Sequence, residues 1–149
     1  MRVLVQRVSS ASVQVEGREI SSIPSGLLLL AGIHEDDTES EVRWMASKIA
    51  GLRIFEDDQD KMNLSIQDVS GEILVVSQFT LYGDARKGRR PSFSHAAPPD
   101  KAEPLCRLFA SSLKEENLIV KEGVFGAYMQ VHLTNDGPVT ILVEREPGS

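Results

Sequence analysis

The chain of 149 residues has a single cysteine, Cys106, and only 5% aromatic residues. One cysteine cannot form an internal disulfide, and its place in an apolar helical pattern predicts a core thiol rather than a nucleophile. No apolar run could span a bilayer, because the longest extends only from Leu27 to Ala31. Since residues 1–7 also lack a long apolar leader segment, we expect a cytoplasmic protein with no membrane partner.

Positive charge is scarce as well, and the formal net charge is −6. Broad binding to nucleic acids requires a basic surface that displaces counterions from phosphates, so it is not expected here. One local exception is the segment 86–90, which contains Arg86, Lys87, Arg89 and Arg90. From the residues alone, this basic cluster could either hold a few phosphates of an RNA end or form a solvated loop.

The motifs of common hydrolases and metal sites are missing. No serine lies in a Gly-x-Ser-x-Gly elbow, and no spacing of cysteine and histidine supports zinc. The acidic run 56–60 does not continue as a calcium-binding loop, because Lys61 and Met62 interrupt it. The sequence therefore predicts neither a metal nor a cofactor, and Thr80 is a hydroxyl with no identifiable base.

What the chain does contain is many short β-strand patterns and two helical patterns. The helical patterns begin after the acidic segment 35–38 and at Pro98, and they end near Gly51 and Asn117. Two helices against many strands predict a single α/β domain over residues 1–149, with mixed sheets and the helices on one side. The predicted strands cover residues 2–8, 11–16, 27–33, 52–55, 72–81, 118–120, 128–134 and 139–143.

The stretch from Ser77 to Asp84 is the most informative part of the sequence. It follows the buried strand pattern of residues 72–76, turns polar, and reaches a Gly83-Asp84 turn just before the basic cluster. A polar strand end, a turn and cations together favour a site for an anionic substrate. The pattern alone also allows a simple junction between a strand and a turn.

Two segments give the chain a resemblance to a known family. Ser77-Gln78-Phe79-Thr80-Leu81 and Asn135-Asp136-Gly137-Pro138-Val139-Thr140 resemble the two signature motifs of the D-aminoacyl-tRNA deacylases. The similarity also covers Gln6-Arg7-Val8, residues 61–65 and residues 123–127, although Asp60 stands where the family usually has glycine. This resemblance implies a three-layer α/β/β homodimer that hydrolyses the ester of D-aminoacyl-tRNA, and also of glycyl-tRNA.

The resemblance also implies roles for individual residues. Gly137 and Pro138 would form a cis dipeptide that excludes L-aminoacyl groups from the active site of the other subunit; as a pattern, the same segment is typical of a turn. Independently of the resemblance, the lack of a base for Thr80 leads us to expect that backbone N–H donors at the strand end stabilise the tetrahedral intermediate. The catalytic set would be Ser77, Gln78, Phe79 and Thr80, and the tRNA-binding set would be Arg86, Lys87, Arg89, Arg90 and Phe125.

Two alternative functions remain open at this point. A related deacylase removes wrongly attached L-amino acids, but that branch lacks the Ser-Gln-Phe start, which is present here as residues 77–79. Thr134 before Asn135 fits the D-specific branch less well. The other alternative is a module that binds the end of an RNA through residues 86–90 without cleaving an ester.

Overall fold

The computed structural model describes the whole chain, residues 1–149. The chain forms eight strands, two α-helices and one short 3₁₀ helix at Phe79–Tyr82. In chain order the strands and α-helices are β1 (Arg2–Val15), β2 (Arg18–Ile23), β3 (Gly26–Gly32), α1 (Glu39–Ala50), β4 (Phe55–Glu56), β5 (Met62–Leu64), β6 (Glu72–Ser77), α2 (Pro99–Lys114), β7 (Ile119–Glu122) and β8 (Gln130–Glu144).

Strand β1 is the centre of the sheet. Its first half pairs with β3, its second half pairs with β2, and β8 pairs along most of its length, all of them antiparallel. Because a strand has two edges, β2 and β3 share one edge of β1 and β8 occupies the other. The predicted strands 2–8 and 11–16 are therefore one strand, since pairing continues on both sides of the exposed pair Ser9 and Ser10.

The prediction of mixed pairing is confirmed. Strand β3 pairs parallel with β6, and β6 pairs parallel with β7, whereas β1 pairs antiparallel with its three neighbours. Strands β4 and β5 form a separate two-stranded sheet, so the strand predicted over 52–55 begins only at Phe55. Strand β8 joins the predicted strands 128–134 and 139–143 into one irregular strand.

Two apolar cores separate three layers. On one face of β3, Leu27 and Leu29 pack with side chains from both helices; on the opposite face, Leu28 joins a second core. That second core lies between the β3–β6 layer and the second half of β1 with its neighbours. Its buried members are Val8, Ala11, Val13, Ile23, Leu28, Leu74 and Val76. The packing confirms the α/β/β arrangement, although hydrogen bonds connect both β layers.

Helix α1 begins where the sequence predicts. Thr38 is its N-cap, and Glu41 completes a capping box by accepting from the Thr38 backbone N–H at 2.9 Å. Helix α2 starts at Pro99 and ends at Lys114, three residues before the predicted stop at Asn117. Neither α1 nor α2 has the length and apolar character that a membrane-spanning helix requires.

Candidate active site

The polar motif begins where strand β6 ends. Pairing with β3 stops at Ala31 and Ser77, and the Gln78 N–H donates a final bond to the Ala31 carbonyl at 2.8 Å. The chain then forms the 3₁₀ helix, so the strand predicted over 72–81 is four residues too long. Gly32 permits this turn, because a Cβ at that position would lie only 3.1 Å from the Gln78 carbonyl oxygen.

An apolar cleft opens beside this turn, with a volume of about 640 Å³. Twelve of its 17 lining residues are hydrophobic, which suits an aromatic or aliphatic ligand group. The four predicted catalytic residues Ser77, Gln78, Phe79 and Thr80 all line it, and so does Phe125. The structure thus brings the first motif and Phe125 to one cleft, while the basic cluster and Gly137-Pro138 lie outside it.

The cleft contains hydrogen-bonding groups but no base. The Gln78 side-chain amide donates to the Thr80 hydroxyl, and no histidine or carboxylate is among the lining residues. Cys106 lies in the wall, where burial raises the pKa of its thiol to about 12. Such a thiol is almost entirely protonated at neutral pH, which agrees with the predicted core role and argues against a cysteine nucleophile.

The second motif forms a bulge in strand β8. Gln6 pairs with Thr140, but Val8 pairs with Asn135, so two steps along β1 correspond to five along β8. Residues 136–139 therefore leave the ladder, and Gly137 and Pro138 are exposed, with a cis peptide bond between them. Gly137 has φ 144°, a conformation that favours glycine.

The side chain of Arg7 supports this bulge through a hydrogen bond to its backbone. It is 7% exposed; its Nε donates to the Asp136 carbonyl at 2.9 Å, and its Nη1 donates to the Ile54 carbonyl at 2.8 Å. From the sequence alone, Arg7 had no predicted role of its own. A signal was present: Arg7 shares the inward face of β1 with Val3 and Val5, where a charged side chain requires partners.

Asn135 closes the bulge from within the strand. Its Oδ1 accepts from the Val139 N–H at 2.7 Å, and its Nδ2 donates to the Val139 carbonyl and to the Thr140 hydroxyl. Backbone groups that lost their ladder partners are thereby satisfied by one side chain. The bulge is a defined local structure and not a loose loop.

The basic cluster lies in a loop whose two ends, Asp84 and Ser92, are hydrogen-bonded to each other close to the first motif. Asp84 and Ser92 exchange two backbone hydrogen bonds of 2.7 and 2.9 Å, and the Phe93 ring packs edge-on against Phe79, with centroids 5.3 Å apart. Arg86 donates to both carboxylate oxygens of Asp84, which lowers the pKa of that carboxyl to about 2. Within the loop, three exposed cations have no ion pair, namely Lys87, Arg89 and Arg90.

Comparisons with known proteins agree with the motifs. Residues 4–144 match the family described as D-Tyr-tRNA(Tyr) deacylase. This chain belongs to that family. A curated relative from Exiguobacterium sp., named D-aminoacyl-tRNA deacylase, is 61% identical, with 97% of this chain and 99% of the relative covered. A relative of the same name from Thermotoga petrophila is 57% identical, with 97% of each chain covered.

Solved structures place this deacylase-family chain in the same fold. One described as c-Myc DNA Unwinding Element Binding Protein has a TM-score of 0.92 and 46% identity, with 98% of this chain and 99% of that chain covered. Another, described as a probable eukaryotic D-amino acid tRNA deacylase, has a TM-score of 0.82 over 95% of this chain and 97% of its own. At 18% identity, this second likeness concerns the fold alone.

The contacts of Arg7 give a testable prediction. We expect Arg7→Lys to lower the free energy of unfolding by roughly 1–3 kcal/mol, because one ammonium cannot reach both the buried Ile54 carbonyl and the partly buried Asp136 carbonyl and leaves an acceptor unsatisfied. Urea unfolding of the purified variant measures this. Arg43→Lys, on the exposed face of α1, is the matched control and should stay within about 0.5 kcal/mol of wild type. Equal stability of the two variants would contradict the assignment.

Proposed function

We propose that this chain hydrolyses the ester bond of D-aminoacyl-tRNA and releases the free amino acid and the tRNA. The observation that carries the proposal is the cleft at the end of β6, whose rim is the Ser-Gln-Phe-Thr segment 77–80. Membership of the deacylase family and the names of the relatives support the same reaction.

The proposed chemistry uses positioning and hydrogen-bond donors rather than a nucleophile. A 3₁₀ helix supplies no acceptor for its own first N–H groups, so those of Phe79 and Thr80 are candidates to stabilise the oxyanion of the tetrahedral intermediate. The apolar side of the cleft includes Phe125 and Met129, which offer a surface for the terminal adenine. No residue of the cleft is a base, so the neighbouring 2′-hydroxyl of the ribose is the group proposed to assist cleavage.

A direct assay tests the reaction and its chirality. With D-tyrosyl-tRNA and L-tyrosyl-tRNA incubated side by side, we expect rapid release of tyrosine from the D-ester and almost none from the L-ester. Equal rates would contradict chiral selection, and preference for the L-ester would favour the related L-specific deacylase. Binding of tRNA without release of either amino acid would favour the RNA-end-binding module.

The active unit is proposed to be a homodimer. Gly137 and Pro138 are exposed and do not line the cleft of their own chain, which fits a role in the cleft of a second copy. Strand β8 is also an edge strand of 15 residues, with one edge unpaired and with Leu133 and Leu142 exposed. Such an edge is a ready surface for pairing with another chain.

Sedimentation velocity at the assay concentration tests the dimer. We expect a single species of about twice the 16.4 kDa chain mass, and a loss of specific activity as dilution separates the subunits. Full activity of a species shown to be monomeric would contradict the proposed action of Gly137 and Pro138 across subunits.

Two finer assignments belong to the same proposal. Glycyl-tRNA is proposed as a second substrate. The backbone of Gly137 and Pro138 is proposed to exclude substrates by steric conflict with an L side chain, and glycine has no side chain to cause that conflict. The cytoplasm is proposed as the location, since charged tRNA is used there in translation and the lone Cys106 suits a reducing compartment.

The basic loop is proposed to contact phosphates of the tRNA acceptor end. The double variant Arg89→Ala/Arg90→Ala is expected to weaken tRNA binding and to lower the slope of log K against log salt by about one unit per lost contact. Filter binding over a series of salt concentrations measures the slope. Arg18→Ala, which removes an exposed cation at the first position of β2, is the control. If the double variant kept the wild-type slope, residues 86–90 would be a solvated loop.

A structural neighbour named for binding a DNA element raises the alternative of duplex binding. The net charge of −6 and the pairing of Arg86 with Asp84 argue against it, because only three loop cations remain available. Binding to duplex DNA relies on neutralising many phosphates along the backbone. A short single-stranded end that enters an apolar cleft fits the observed surface better.

A variant at Thr80 tests whether its hydroxyl only lines the cleft or acts as a nucleophile. Because the hydroxyl of Thr80 is bonded to an amide and not to a base, we expect Thr80→Ala to keep much of its activity. The loss should match one hydrogen bond, roughly 0.5–1.5 kcal/mol in the activation free energy. Thr80→Ser, which keeps the hydroxyl, is the control, and single-turnover deacylation is the measurement. Abolished turnover with an acyl-enzyme trapped on the wild type would establish covalent catalysis by Thr80 instead.

A further inference from the structure

Three side chains of types that can bind metals lie together outside the cleft, at the end of strand β3. His34 and Glu35 follow this strand, and His95 lies in the segment that leads from the basic loop to α2. The Glu35 N–H donates to the His95 carbonyl at 2.9 Å, and the Ala97 N–H donates to the Ile33 carbonyl at 2.9 Å. These backbone bonds fix the two segments side by side, so the spacing of the three side chains does not depend on a mobile loop.

The donor atoms are already close together. One donor atom from each of His34, Glu35 and His95 lies within 4.8 Å of the other two. The imidazole rings are nearly parallel, with centroids 5.7 Å apart, and His95 Nδ1 is 3.5 Å from Glu35 Oε1. Around a tetrahedral zinc ion the ligand atoms are about 3.3 Å apart, as follows from metal–ligand bonds of roughly 2.0–2.1 Å. The side chains of Glu35 and His95 are about half exposed, so few packed neighbours oppose a rotation over this small distance.

Both carboxylates and cations surround the three side chains: the Lys101 ammonium donates to the Glu35 carbonyl, and Arg2 and Arg86 line the same depression as His34 and His95. His34 Nδ1 accepts from the Asp36 N–H at 3.0 Å, and because Asp36 is exposed, water can take over that N–H if the lone pair turns to a metal. The carboxylate of Asp36 lies 4.0 Å from the same nitrogen. Arg86, the nearest cation of the basic loop, is already paired with Asp84.

We propose that His34, Glu35 and His95 bind one divalent transition-metal ion of the Zn²⁺ class, with a fourth position open to water. Two imidazoles and a carboxylate are a common three-residue set for zinc. None of the three side chains lines the cleft. The ion therefore links the end of β3 to the segment before α2. It stabilises the fold and does not take part in ester hydrolysis.

The chain is well suited to a clean metal titration, because it contains only three histidines and one buried cysteine. Protein freed of metal with a chelator is titrated with zinc chloride in a calorimeter, and its Tm is measured in parallel. We expect one ion per chain and a Tm raised by roughly 5–10 °C at a hundredfold excess over Kd.

Variants identify the ligands. His95→Gln and Glu35→Gln change exposed side chains, and each should weaken zinc binding at least tenfold and remove most of the Tm shift. His132→Gln, which changes the exposed histidine of β8, is the matched control and should bind zinc like wild type. Absence of binding to wild type, or unchanged binding by His95→Gln, would overturn the proposal. So would an equal loss in His132→Gln.

Discussion

Backbone pairing along both edges of β1 is the constraint on which the rest of the structure depends. One edge carries β2 and β3 in turn, and the other carries β8. The alternate side chains of these strands can then serve two cores, one under the helices and one between the β layers. The sheet also aligns the parallel pair β3 and β6, at whose end the cleft opens.

Both signature motifs lie where regular pairing stops. The first motif begins at Ser77, the last residue of β6 that pairs with β3, and the second lies where β8 leaves β1 for residues 136–139. Backbone groups released from a ladder must find other partners or be offered to a ligand. In the bulge, Arg7 and Asn135 provide the partners, whereas no side chain caps the start of the 3₁₀ helix, whose first N–H groups are the proposed oxyanion donors.

The proposed reaction requires few catalytic side chains. The cleft contains no base and no ionised nucleophile, and burial keeps the thiol of Cys106 protonated. An ester that is already activated, with a hydroxyl beside it, requires mainly orientation and stabilisation of the developing oxyanion. The absence of conventional hydrolase motifs from the sequence is therefore consistent with the proposed reaction.

Local patterns in the sequence were sufficient for the helices, the buried strands, the α/β class and the first motif. The capping residues around Thr38 and the apolar run of β3 act over a few neighbours, and such short-range signals can be read directly. The motif residues 77–80 were also identified from the sequence as a group. The backbone conformation of this motif was not predicted. Its residues are compatible with either a strand or a 3₁₀ turn, and the choice depends on where β3 stops pairing with β6.

Only the tertiary structure decided how distant segments meet. The bonds from Arg7 to the bulge, the pairing of Arg86 with Asp84 and the meeting of His34 with His95 depend on which strands and loops become neighbours. Arg7 was visible as a charged residue on an inward face, but its acceptors are the carbonyls of Ile54 and Asp136. Backbone acceptors carry no signature in the sequence, because every residue has one, and only the fold selects which of them a side chain can reach.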